Sequence, residues 1–221
     1  QIEPNVIDSD QEVEPDYRDE LIEKLEGLID RVREEKDKLN DVKEQVKEMS
    51  KETVVTDEDK IPMLIQLSQA LETYAEFEVA SREFQGPYQD AFTGQSEAKY
   101  SSRDDDSKNK GIVKLYPKFI QELAKLKVAN QNLIKEMNKS RHMKAENNSD
   151  RGPEIELLNK ELIGANKVLE SMEIMKLEDA NGNFLPKEDE IKAEELDNRI
   201  ERIAKYIKQF QEKGEKIESQ K

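Results

Sequence analysis

Cysteine and tryptophan are absent from these 221 residues, and histidine occurs once, at position 142. Without Cys there is no disulfide, no thiolate metal site and no Cys nucleophile, although that absence fixes no compartment. Hydrolytic triads and most acid–base sites draw on His or Cys, so a single imidazole leaves them little room. That imidazole sits in a polar break beside Arg141, where a solvent-exposed loop residue is expected. Di-iron bundles take a Glu-x-x-His motif from each of two helices, and the residue three before His142 is Lys139, so that ligand set is missing. A two-carboxylate glycosidase is not excluded by counting acids, but the lack of Trp and of an aromatic-lined cleft speaks against it. The expectation is a non-enzyme with no catalytic residue and no cofactor.

Long apolar runs are missing as well. No stretch approaches the length of a membrane-spanning helix and no signal peptide is present, so direct insertion of this segment into a membrane is not expected. There is no Gly-rich phosphate loop, no repeat of fixed length and no basic amphipathic helix. Basic charge is in deficit: 51 acidic residues against 36 basic ones leave a formal charge of −15, which repels phosphate backbones and anionic headgroups. Nucleic acid is therefore not an expected partner.

What the chain does have is periodicity. A charged share of 39% against a hydrophobic share of 34% argues against one round core, yet the apolar residues recur too regularly for disorder. Leu21, Leu25, Leu28, Val32, Glu35, Leu39, Val42, Val46 and Met49 follow one another at alternating steps of four and three, the period of a coiled-coil seam, with only Glu35 polar. As one helix this stretch would be about 43 Å long, so its partners must also be long helices. Ile22 and Ile29 widen the stripe in its first half, predicting burial among several helices there; after Leu39 it narrows, as it would with fewer neighbours. A second such series runs Ile112, Tyr116, Phe119, Leu123, Leu126, Asn130, Leu133 and Met137, and a third joins Leu196, Ile200, Ile203, Ile207, Phe210, Gly214 and Ile217.

These series predict an all-α fold: an elongated antiparallel helical bundle with coiled-coil character, about five helical segments, and a small hairpin near 176–185. Residues 1–16, with two Pro and six acids, read as an extended tether ahead of a single bundle over 17–221. Asp59 is expected to cap the second helix, and Gly86-Pro87 to end or kink it. The polar stretch 94–111 reads as a long mobile loop, and 140–153 and 178–187 as breaks between helices.

Candidate sites are few. Asp179, Asn181, Asn183 and Glu190 match positions one, three, five and twelve of an EF-hand calcium loop, but position six is Phe184 where Gly is needed. An Asn-Gly turn with a downstream capping acid is the preferred reading, so no metal site is assigned. Candidate partner-binding residues are those where the seam is apolar and neighbours few: Leu39, Val42, Val46 and Met49, together with the aromatic end Phe77, Phe84, Tyr88 and Phe92. The chain begins at Gln1 rather than Met, so something is expected to have been removed ahead of it, by processing or by design, with a signal or anchor among the options. The favoured function is a rigid spacer or protein-interaction module displayed outside the cytoplasm on its tether, partnering a protein or itself. The alternative is a cytosolic coiled-coil scaffold that oligomerises, and the third is a small-ligand or calcium-binding bundle.

Overall fold

A computed structural model describes residues 17–96, 103–144, 152–172, 177–178, 183–184 and 190–220. The chain is an all-α bundle of α1 (Tyr17–Lys51), α2 (Asp57–Glu83), α3 (Gln85–Ser96), α4 (Arg103–Lys139), a 3-10 turn (Arg141–Met143), α5 (Gly152–Ser171) and α6 (Glu190–Ser219). Between α5 and α6, β1 (Leu177–Glu178) and β2 (Asn183–Phe184) pair antiparallel with Leu177 opposite Phe184, the hairpin that the Asn-Gly signal predicts.

Local chemistry sets the helix ends. Thr56, not Asp59, caps α2. The Asp59 amide donates to Thr56 Oγ1 at 3.3 Å while the Thr56 amide donates to Asp59 Oδ2 at 3.0 Å, a reciprocal capping box. Hydrogen bonding from Thr56, its backbone amide first and its side chain second, holds the Asp59 carboxyl below the usual carboxylate range. Helix α2 breaks at Phe84 because the Glu83 carbonyl would need the amide of residue 87, and Pro87 has none. The break turns the expected second segment into α2 and α3.

The expectation of a loop over 94–111 is corrected. Helix α3 runs to Ser96 and α4 already starts at Arg103, so the stretch is helical at both ends, and residues 97–102 lie outside the described residues. Gly111 is a helical residue. A Cβ there would lie 2.9 Å from Ile22 Cδ1, so the glycine marks a close approach of α1 to α4.

Helix α3 continues in the direction of α2 past the break, and the other successive helices are antiparallel. The Lys24 ammonium sits 5.8 Å from the Phe84 ring centre and the Arg31 guanidinium 5.1 Å from that of Phe77, so α2 descends as α1 rises. Tyr88 against Tyr116 and Gly94 against Asn109 run α3 against α4. Lys127 Nζ donates to the Met172 carbonyl and Asn159 Nδ2 to that of Met143, reversing α5 on α4. Glu161 with Arg199 and Glu154 with Lys213 reverse α6 on α5.

This up-and-down order leaves α1 and α4 parallel. Arg18 Nη1 donates to Asn109 Oδ1 at 3.1 Å, Glu122 is 3.6 Å from Arg33, and Ser50 Oγ lies 3.2 Å from Ser140 Oγ. A displacement of 91, the separation of Arg18 from Asn109, carries Leu21 onto Ile112, Leu25 onto Tyr116, Val32 onto Leu123 and Val46 onto Met137. The other ties are 89 or 90 positions apart, so the two four-three series run side by side in nearly this register.

Helix α5 ends level with Lys127, so α5 and α6 stand beside the second half of α4 and against α2. One half of the bundle has three helices and the other five. The narrow part of the α1 stripe does not lack neighbours, as Leu39, Val42, Val46 and Met49 are all buried between α1, α2 and α4.

Candidate functional site

The residues singled out as an open apolar seam are not a surface. Leu39, Val42, Val46 and Met49 are at most 6% exposed, which corrects their reading as a docking strip. What reaches solvent beside them is a groove between α1 and α2 of about 690 Å³, edged by Glu35, Glu72 and Glu76 and floored by Leu39 and Val42.

The aromatic end is likewise interior. Phe77, Phe84 and Tyr88 are buried and Phe92 packs against them partly covered. Tyr116 ties them together: its ring centre is 4.8 Å from that of Tyr88 and 6.4 Å from that of Phe84, and its hydroxyl donates to the Ser81 carbonyl at 2.7 Å. Burial pushes the Tyr116, Tyr74 and Tyr88 phenols above their ordinary range. These rings wedge α2, α3 and α4 apart at a fixed spacing. The cations of Lys24 and Arg31 cover two of them from α1.

His142 corrects another expectation. It is 7% exposed, held in the 3-10 turn after α4, with its Nε2 2.8 Å from the Glu52 carbonyl. A ring nitrogen facing a carbonyl must carry the proton, so the Nε2–H tautomer donates here. Arg141 Nη2 donates to the same carbonyl at 2.9 Å. Together they fasten the end of α4 to the α1–α2 connection. Sequence spacing had no means of pairing residues 90 positions apart.

Of the calcium-loop candidates, Asp179 and Asn181 lie outside the described residues; Asn183 belongs to β2 and Glu190 opens α6. Among the described residues, no group of three or more acidic or imidazole side chains is placed to hold a metal. No described helix is long and apolar enough to cross a membrane.

The acids that are buried bridge helices. Glu122 of α4 meets Arg33 and Lys36 of α1 at 3.6 and 3.9 Å, and Lys125 at 3.3 Å. Glu161 of α5 meets Arg199 and Arg202 of α6 at 3.1 and 3.0 Å. Arg199 lies flat over Gly164, where a Cβ would come within 2.0 Å of its Nη1.

Two concave surfaces carry basic linings: a smaller one between α1 and α4 with Lys36 and Lys125, and a larger one on α5. A groove of about 670 Å³ runs along the outer face of α5, lined by Lys144, Lys160, Lys167 and Arg199 around Asn159, Ile163 and Gly164, with Glu156 its single acid. Asn159 fixes its upper edge through the 2.7 Å bond to the Met143 carbonyl. Sequence periodicity shows α5 only as an apolar stripe, and says nothing of how its outward lysines gather with residues from two other segments. No family model, curated protein or solved structure matches this chain.

Proposed function

We propose that the protein is a non-enzymatic helical bundle that acts as a rigid spacer and protein-interaction module, displayed outside the cytoplasm on its acidic segment 1–16. The observation that supports this most is the parallel joining of α1 to α4. The pair is tied at its start by Arg18–Asn109 and Asp19–Lys108, in its middle by Glu122, and at its end by Ser50–Ser140 and Arg141–Glu52. Helix α1 alone is about 52 Å long at roughly 1.5 Å per residue. A body cross-tied over that length holds two ends at a set distance, whereas a hinged one closes on a substrate. The ties between the two helices, 89 to 91 positions apart along their whole length, keep the two seams side by side and support a coiled-coil character of this pair.

Small-angle X-ray scattering with in-line light scattering tests the proposal. The expected result is a particle of 25.7 kDa whose maximum dimension exceeds about 52 Å, the length of α1. A mass that doubles with concentration overturns the monomeric spacer in favour of the self-associating scaffold. Accessibility of the chain to protease added to intact cells decides between display outside the cytoplasm and a cytosolic location.

A further inference from the structure

We propose that the groove along α5 is the docking site of this module and that it takes a short acidic peptide segment of a partner protein. This rests on the interaction-module reading and names the partner's chemistry. Lys144, Lys160 and Lys167 are exposed and have no ion-pair partner among the described residues, on a chain whose formal charge is −15. The groove gathers four cations around one acid on a net acidic chain, whereas the smaller groove between α1 and α4 holds only Lys36 and Lys125, so these lysines supply both attraction and register.

The shape suits a peptide. From Glu156 to Lys167 the floor is roughly 17 Å long, which an extended chain at about 3.3 Å per residue covers with five residues. Ile163 is 46% exposed at its middle and offers an apolar seat, so the matching segment alternates carboxylates with an aliphatic side chain. Arg199 stands ready at the far edge, spread flat because Gly164 has no side chain, while Glu161 and Glu195 hold it at 3.1 and 3.4 Å. Long phosphate polymers are the poorer fit, since they would extend past the groove onto acidic surface.

Fluorescence anisotropy of the full chain with a labelled six-residue peptide alternating Glu and Leu tests this. Binding by the Glu peptide is expected to fall steeply with added salt, to vanish when Gln replaces Glu, and to weaken at least about tenfold in the triple variant Lys144→Glu, Lys160→Glu, Lys167→Glu. Circular dichroism confirms that the variant is folded, and single Lys→Gln variants, each weaker than the parent, stand in if it is not. Equal binding of the Gln peptide, undiminished binding by the variants, or no anisotropy change up to about 1 mM protein overturns the proposal. So does a preference for heparin fragments or anionic vesicles over the peptide. A chain that scatters as an elongated monomer yet ignores the peptide sinks this inference and leaves the spacer standing.

Discussion

At Asn130 the side-chain amide donates to the Leu126 carbonyl at 3.1 Å, while its Oδ1, fully buried, has no partner among the described residues. That oxygen is sealed among the buried apolar residues of the bundle, at a cost of about 1–3 kcal/mol. Asn130→Leu is therefore expected to raise stability by about 1–2 kcal/mol in urea titration, and an unchanged or lower midpoint refutes this. Glu35, the other polar residue in a seam, differs because it keeps a quarter of its side chain in solvent and pairs with Lys38 at 3.2 Å. Sequence marks both residues as breaks in the series. It does not say which is sealed from water, since that depends on a helix arriving from elsewhere in the chain. His142 differs from its expectation for the same reason: its own neighbours are polar, and what covers it is the α1–α2 connection.

Helices were the most legible level, because a four-three series is written along a single segment. The start of α2 was legible only to within a turn, because Asp59 reads as a cap when alone and as the third residue of a capping box once Thr56 is seen to accept its amide. Residues 103–111 were not, since Gly111 signals a turn when read alone and a close helix approach only when Ile22 is beside it. Gly27 is the contrasting case, with open space around its missing Cβ. Gly27→Ala is expected to stabilise α1 by about 0.5–1 kcal/mol through helix propensity alone. Gly111→Leu is expected to destabilise by about 1–3 kcal/mol by forcing α1 from α4. Urea midpoints that move the same way in both variants contradict this pair of assignments.

For the whole molecule, the tyrosines link stability to alkaline pH. Burial raises the Tyr74 and Tyr116 phenols above 10.0, so the folded chain keeps protons that the unfolded chain releases near pH 10. Their contribution is fully present below that pH and is lost as pH rises beyond it. The unfolding midpoint is expected to fall above about pH 10. Tyr74→Phe should lessen that fall and cost little at neutral pH, because the Tyr74 hydroxyl has no partner among the described residues. A slope identical to the parent's excludes Tyr74 from the linkage. Fold class was readable at this scale, but which helices lie side by side was not. A period says that a face is covered and is silent about direction, so nothing in the residues announced that α1 and α4 run the same way.

That shared direction has a kinetic consequence. Two helices side by side and parallel cannot be joined by a tight turn, and the return through α2 and α3 separates partner residues by about 90 positions. Helices α5 and α6 form a more local hairpin and can pair early. Closing α1 onto α4 spans about 90 positions and seating α6 on α2 spans more, so these long closures are expected to be slow steps of folding. On a ribosome adding roughly 5–20 residues per second, α1 waits about 5–18 s for its largest partner. During that interval only α2 and α3 shield its leucines, and the nascent chain is then at its most adhesive.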